Sequence, residues 1–443
     1  MRRNIAIYGG FSGTETDLSE RDVVNNVTTL SGNINLSNTN ADNSYHVVTC
    51  KKTGSLNAGN YIDHSARLDG FTIQKGNADG SDDDTFGAGL MIYRSGPIVV
   101  NCIFRENDAE VAAGAIWVYD EDSDTTDFAD PELVNCTFFG NHADEAGGAL
   151  YNQKDNVNLT NCVFTGNTAT YGGGAIINDE VEDEATLTLT NCTLALNVAD
   201  DGSSVTTFGG GFINAGTMVV HNSVIWNNDA DTDDQIRNTS SLTITYSDVE
   251  GGFSGTGNVN TSPHFVDENG PDMTPGTDDD NVRLEDDSPL INAALSASLP
   301  DDVADLDGDS NTGEVLPFDR DYVTRQLCTV DMGAYENYHY VDPCAADLND
   351  DGSVDIDDLT AVILAWGSCS CPADFVCGDG QVNIDELTAI ILNWGRGCSE
   401  MMMFGEGEIP PLPTVTDVLY TLPENFEATE EIIQALLNAG LEP

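Results

Sequence analysis

Asn101-Cys102-Ile103-Phe104-Arg105-Glu106-Asn107-Asp108-Ala109 is the first of five segments that align without gaps along this chain. The others are Asn135-Cys136 to Asn141 and Ala143, Asn161-Cys162 to Asn167 and Ala169, Asn191-Cys192 to Asn197 and Ala199, and Asn222-Ser223 to Asn228 and Ala230. The pattern is N-C-x4-N-x-A, with Ser replacing Cys in the last copy. A second block follows: Gly114-Ala-Ile, Gly148-Ala-Leu and Gly174-Ala-Ile each begin seven residues after the second Asn. The fourth copy, Gly211-Phe-Ile, begins fourteen residues after Asn197, so a loop near Asp200 to Thr206 has been inserted. Successive Cys residues lie 34, 26 and 30 apart. A constant core with elastic spacers is the mark of stacked repeats with variable loops.

Between these blocks lie short β-branched runs, such as Val99-Val100, Leu187-Thr188-Leu189 and Met218-Val219-Val220, punctuated by Gly and Asn. Repeats of about 26 residues are too short for βαβ units, which need roughly 30 or more. The expected fold is therefore mainly β, a right-handed, single-stranded parallel β-helix. Each coil should advance by one strand spacing, about 4.8 Å. Asn at a fixed point of every coil can bond amide to amide up the stack, and it tolerates the left-handed backbone of a tight corner. The Cys column should point inward as small hydrophobic thiols, because parallel Cβ vectors make bridging awkward.

These blocks resemble the repeats of polymorphic outer-membrane proteins, whose signatures are G-G-A-[ILV] and F-x-x-N. Here they read Gly147-Gly148-Ala149-Leu150, Gly173-Gly174-Ala175-Ile176, Phe104-Arg-Glu-Asn107 and Phe164-Thr-Gly-Asn167. The flanking Tyr8-Gly-Gly-Phe11, Leu68-Asp-Gly-Phe-Thr-Ile73, Ser288-Pro-Leu-Ile-Asn292 and Val330-Asp-Met-Gly-Ala-Tyr-Glu336 resemble secreted β-helix proteins of the choice-of-anchor Q type. The resemblance covers about residues 5 to 337 and implies a pectate lyase-like fold. It says little about activity, since that fold hosts lyases, hydrolases, adhesins and passive surface proteins alike.

The formal charge of this 443-residue chain is −61, which repels nucleic acid and anionic membranes and gathers cations. A solvated acidic surface accounts for charge runs of this kind as well. No run of 18 apolar residues exists, so no membrane-spanning helix is expected. Met1-Arg2-Arg3 enters a strand-like stretch directly, without a secretion signal, so the start of the chain is expected to be missing. The expected location is extracellular or at the cell surface.

Acidic loops follow the last repeat. Asp305-Leu-Asp307-Gly-Asp309 places carboxylates at alternate positions, and a curled backbone would aim them at one Ca2+ ion, which takes six to eight oxygens. Asp267 to Asp272 with Asp278-Asp279-Asp280 is a weaker candidate of the same kind.

Near Cys344 the character of the chain changes. Asp347, Asn349, Asp351, Ser353 through its carbonyl, Asp355 and Asp358 occupy positions 1, 3, 5, 7, 9 and 12 of an EF-hand-type calcium loop, with Gly352 at position 6. Leu359 to Trp366 should form a short apolar helix stopped by Gly367. A near-copy supplies Asp374, Asp379, Gln381, Asn383 and Glu386, although Asp374 lies one residue too early. The duplication resembles dockerin type I domains over about residues 343 to 398. That resemblance implies a small α-helical calcium domain that docks onto a cohesin-like or other surface protein. Loop positions 10 and 11, Ile356-Asp357 and Ile384-Asp385, are not the Ser-Thr pair of the best-known family, which puts a standard cohesin partner in doubt. Five cysteines (Cys344, Cys369, Cys371, Cys377, Cys398) suggest disulfides here; their spacing suits zinc poorly.

The expected layout is a β-helix over 1–265, an acidic loop-rich end over 266–342, the dockerin-like module over 343–398, and a linker with a short terminal helix over 399–443. For function, the expectation is a calcium-binding surface protein for adhesion, glycan binding or assembly. The alternative is a dockerin-borne polysaccharide hydrolase or lyase. Lys154 alone among Lys and Arg lies between Arg105 and Arg237, which argues against a pectate-type lyase, and no nucleophile motif stands out. His142 and His221 are expected to be surface residues without a catalytic role.

Overall fold

The computed structural model describes residues 1–35, 40–52, 62–120, 130–179, 186–200, 202, 205–325 and 329–337. Beyond these it describes only 348–349, 354, 356–365, 367–368, 381–382 and 390. Residues 1–337 form one compact unit and 338–443 a second.

In the first unit the repeats stack as parallel coils, and each full coil contributes to four ladders. In the coil that opens the repeat, the strands are Ile98–Val100, Ile103–Arg105, Asp108–Ala109 and Ile116–Tyr119. Each pairs in parallel with its equivalents in the coils before and after, as in Leu133↔Val99, Phe138↔Phe104, Ala143↔Ala109 and Leu150↔Ile116. Among the described residues the four ladders hold eight, eight, six and seven strands. The first coil begins at Ala6–Tyr8, which pairs with Arg67–Asp69.

Period-two alternation sends one side chain of each pair inward, so the core is a set of columns. Phe104, Phe138 and Phe164 form one of them, fully buried, with ring centroids 5.1 and 4.4 Å apart and planes nearly parallel. Cys102, Cys136, Cys162 and Cys192 form another as buried free thiols. Cys136 and Cys162 donate weakly to carbonyls of the preceding coil, at 3.5 Å to Val99 and 3.4 Å to Leu133. Burial raises the pKa of Cys102, Cys136 and Cys162 well above the usual thiol range.

The two Asn columns of the motif do different work. The first (Asn101, Asn135, Asn161, Asn191, Asn222) turns the corner in the left-handed region, with φ between 52 and 53°. The second (Asn107, Asn141, Asn167, Asn197, Asn228) is the buried amide ladder. Each Nδ2 donates to the next Oδ1 at 2.8–3.0 Å, and Gln235 closes the column. A third amide column, Asn152 to Asn178 to Asn214 to Asn238 at 2.8–2.9 Å, lies at the third position of the fourth-ladder strands. The recurring glycines permit this close stacking: a Cβ on Gly148 would stand 2.2 Å from the carbonyl oxygen of Gly174.

Residues 265–337 do not extend the coil but run back along its side. Val282, Ala334 and Tyr335 pack on Val163, Ala195 and Leu196, while Ala304 and Leu316 pack on Ile98, Val100 and Val134. The first Asn column supplies polar anchors: Asn161 donates to the Phe318 carbonyl at 2.8 Å, Asn191 to that of Asp331, and Asn222 to that of Leu295. Arg325, 1 % exposed, donates to Asn161 Oδ1 and the Gly333 carbonyl and pairs with Glu336. The returning segment therefore sits where outward apolar residues of the first two ladders would otherwise meet water.

In the second unit the helix expected after the first EF-hand-type loop spans Ile356–Ala365, ending just before Gly367. Leu359, Val362 and Ile363 are buried on one of its faces, as are Val354 and Ile390 elsewhere in that unit. Gly367–Ser368 pairs antiparallel with Gln381–Val382.

Candidate metal centre

On the returning segment, the chain folds back on itself between Pro300 and Leu316. Asp301 and Val315 form an antiparallel bridge, Asp302 N–H donates to the Glu314 carbonyl at 2.8 Å, and Leu316 N–H donates to that of Pro300 at 2.9 Å. Above this neck Asp305, Gly308 and Ser310 take left-handed conformations (φ 50, 76 and 72°). These turns curl the loop so that alternate acidic residues face inward.

Two overlapping carboxylate triads result. In Asp305, Asp307 and Asp309 one oxygen from each residue lies within 4.8 Å of the others, the three residues expected from sequence. In Asp302, Asp307 and Glu314 the same holds, so Asp307 belongs to both. The first set is exposed or half-exposed, and its carboxylates also accept local N–H groups: Asp305 from Ser310 (2.9 Å), Asp307 from Asp309 (3.1 Å), Asp309 from Asn311 (2.6 Å). The second set is anchored by Asp302, which is fully buried. Asp302 Oδ2 accepts the Leu306 N–H at 2.7 Å, whereas Asp302 Oδ1 and Glu314 Oε1 are shielded from solvent without a hydrogen-bond partner. Burial raises the pKa of both groups, and neighbouring carboxylates add to it, Asp307 and Asp305 for Asp302, Asp309 and Asp307 for Glu314. An all-oxygen, carboxylate-rich set of this kind suits a hard cation.

An open cleft of about 740 Å³ adjoins the loop, bounded by Tyr8, Arg21, Arg67, Asp305, Asp307 and Tyr322. Both arginines pair with buried Asp69, and Arg67 also donates to the Ala304 carbonyl at the foot of the loop. A smaller groove of about 240 Å³ lies between the first ladder and residues 300–316, with Glu132 and Asp301 in its wall. Burial pushes the Glu132 carboxyl up to about 7, while Asn158 donates to it at 2.9 Å and opposes the shift. Composition gave no signal for Glu132, since it is one acid among seventy-six.

The weaker candidate loop does not gather a three-carboxylate group among the described residues. Asp279 and Asp280 accept the N–H groups of Asp272 and Gly276 in their own turn, and Asp280 Oδ1 is shielded without a partner. His142 and His221 lie on strands near the surface and contact Thr168 and Thr245. His264, Glu285 and Asp287 form a further exposed group, with His264 Nδ1 2.9 Å from Asp287 Oδ1.

Of the EF-hand-type positions, Asn349 and Asp358 fall among the described residues. Asp358 is buried in the first turn of the helix, and one of its oxygens accepts the N–H groups of Leu348 (2.7 Å) and Asn349 (3.3 Å). This draws the twelfth position of the loop toward its beginning. Gln381 is described in its backbone only, and Asp347, Asp351, Ser353, Asp355, Asp374, Asp379, Asn383 and Glu386 lie outside the described residues, as do the five cysteines of the module.

Comparison with family models finds the Chlamydia polymorphic membrane protein repeat at residues 135–153 and 161–179, two adjacent coils of the stack. Each match runs from a left-handed corner Asn through the amide ladder and Gly-Gly-Ala turn to the end of a fourth-ladder strand. No curated protein and no solved structure gives a significant match. Among the described residues, no helix is long and apolar enough to cross a membrane.

Proposed function

We propose that this protein is a secreted or cell-surface calcium-binding β-helix protein, serving adhesion, glycan binding or assembly through its long side and attaching through its C-terminal module. The observation that carries the reading is the loop 302–314, where two carboxylate triads converge on the flank of a rigid stack. The repeat match supports the surface location, because the family whose repeat it resembles is described as a membrane protein. The net charge of −61 supports a calcium-rich, extracellular setting rather than contact with nucleic acid. The dockerin-like attachment rests on the loop pattern Asp347 to Asp358 and on the apolar helix that follows it.

One observation favours the enzymatic alternative. Glu132, whose carboxyl burial pushes up to about 7, shares a groove with Asp301, and a pair of carboxyl groups is the basic equipment of glycoside hydrolysis. The two readings separate in one experiment. The full chain is incubated with acidic and neutral polysaccharides, with calcium or chelator, and scored both for retention on the polysaccharide and for reducing ends and unsaturated products. Calcium-dependent retention without products is the expected result. Product formation abolished by Glu132→Gln would replace the binding reading with the enzymatic one.

A further inference from the structure

We propose that the calcium of the flank loop is held at its neck, by Asp302, Asp307 and Glu314, and that it acts as a clasp fixing the returning segment to the coil. This rests on the reading that loop 302–314 takes calcium, and it moves the ion from the Asp305–Asp307–Asp309 set to one anchored by the buried Asp302.

Three observations carry it. Asp302 and Glu314 face each other across the antiparallel neck, joined by the Asp302 N–H to Glu314 carbonyl bond at 2.8 Å. Like charges directly opposite each other in such a pair destabilise it, and a cation between them relieves that repulsion. Next, Asp302 Oδ1 and Glu314 Oε1 both lack a hydrogen-bond partner, and Asp302 is fully buried. A buried carboxylate oxygen left unsatisfied is costly, and a bound cation is one of the partners that relieves it. Finally, no Lys or Arg pairs with any of the three acids among the described ion pairs, while an oxygen from each lies within 4.8 Å of the others. Arg67 comes near, but its guanidinium is engaged by Asp69 and the Ala304 carbonyl.

Three carboxylates offer up to six oxygens, a number that suits calcium, whereas magnesium keeps several waters and demands stricter geometry. Asp305, Asp309 and Asp302 each accept a local N–H, but of the three only Asp302 also keeps a shielded oxygen without a partner. Directly beneath the neck, Ala304 and Leu316 pack on Ile98, Val100 and Val134. An ion joining Asp302 to Glu314 would therefore lock the two strands that carry those residues.

The test uses the full chain, stripped with chelator and titrated with CaCl2, and follows hydrogen exchange in peptides covering residues 300–316, which isolates this loop from the C-terminal module. Calcium should slow exchange there. Asp302→Asn and Glu314→Gln, which remove charge but keep shape, should each raise the calcium concentration at half-protection by more than about tenfold, since even changes behind the ligands cost ~10–100-fold. Asp309→Asn should move it by less than about threefold, as expected of a solvent-screened charge. If Asp302→Asn does not fold, the half-exposed Glu314→Gln decides. An unchanged midpoint in Glu314→Gln, together with a large shift in Asp305→Asn or Asp309→Asn, would overturn the clasp and leave calcium binding by the loop intact. Exchange in the unaltered chain that ignores calcium would overturn both.

Discussion

Replacing Asn167 by Ala should break the stack at its middle. Asn167 is fully buried in the second Asn column and makes four side-chain hydrogen bonds. Its Oδ1 accepts from Asn141 N–H (3.2 Å) and Asn141 Nδ2 (2.9 Å), and its Nδ2 donates to the Phe138 carbonyl and to Asn197 Oδ1, both at 2.9 Å. After the substitution Asn197 Oδ1 keeps the Asn167 backbone N–H, and Asn141 Nδ2 keeps the carbonyls of Phe104 and Phe139. Asn141 N–H loses its acceptor. One orphaned buried donor costs about 1–3 kcal/mol and each of the three other lost bonds about 0.5–1.5 kcal/mol, so the total is about 2.5–7.5 kcal/mol. A water entering the vacated space would bring the loss toward the lower figure. Because stacked repeats are stabilised by nearest-neighbour terms, the damage should also weaken coupling between the coils on either side. Urea denaturation at fixed calcium, followed by far-ultraviolet circular dichroism, should show an earlier and broader transition. Asn238→Ala, at the exposed end of the third column, should lose less than about 1.5 kcal/mol. A loss below about 1 kcal/mol for Asn167→Ala would refute the view that the amide ladder holds the coils together.

The groove residue Glu132 gives a pH test. Its carboxyl rises from 4.5 to about 7 on burial, so folding favours the protonated form; its contribution is neutral below the unfolded value, turns into a penalty that grows as pH rises from 4.5 to about 7, and is constant above that. Glu132→Gln, which can still accept from Asn158, should therefore stabilise the first unit above pH 7 by about 3 kcal/mol and change little at pH 4, read from melts in chelator. Arg325→Met strands the carboxylate of Glu336 and removes the bond to Asn161, so it should cost about 3–5 kcal/mol and expose residues 316–337 to protease before the coil unfolds. Cys102, Cys136, Cys162 and Cys192, all fully buried, should resist alkylation until the coil unfolds; labelling of the native chain at any of them would contradict the inward column. Calcium chelation, or Asp351→Ala, should remove the helical signal of the C-terminal module while the β-sheet spectrum persists, and a melting profile indifferent to chelator would refute the EF-hand-type assignment.

The stacking itself was legible because its physics is local and repeated. One pattern, N-C-x4-N-x-A, holds a corner residue, an inward residue and a ladder amide at fixed offsets, and parallel pairing copies them from coil to coil. The two Asn positions look alike in sequence, yet the backbone turns at Asn161 and stays out of the left-handed region at Asn167. The third amide column was missed because the loop inserted before Gly211 shifts its spacing, and because Val118 stands at its place in the coil of the first repeat segment.

The site divides along the same line. Sequence alone determined a coiled parallel stack, an acidic Asp-x-Asp-x-Asp loop and an EF-hand-type pattern, since each depends on neighbours within a few residues. Only the tertiary structure decided that residues 265–337 fold back along the flank and that the first Asn column anchors them there. It alone decided that Asp302 and Glu314 meet across a neck, twelve positions apart. A carboxylate's chemistry is set by what surrounds it, and beside Asp302 the chain is seated by Ala304 and Leu316 packing on Ile98, Val100 and Val134, more than 160 residues earlier in the chain. Alternation of charge predicts where a loop can curl; burial, which no local pattern carries, decides which of its oxygens are left without a partner.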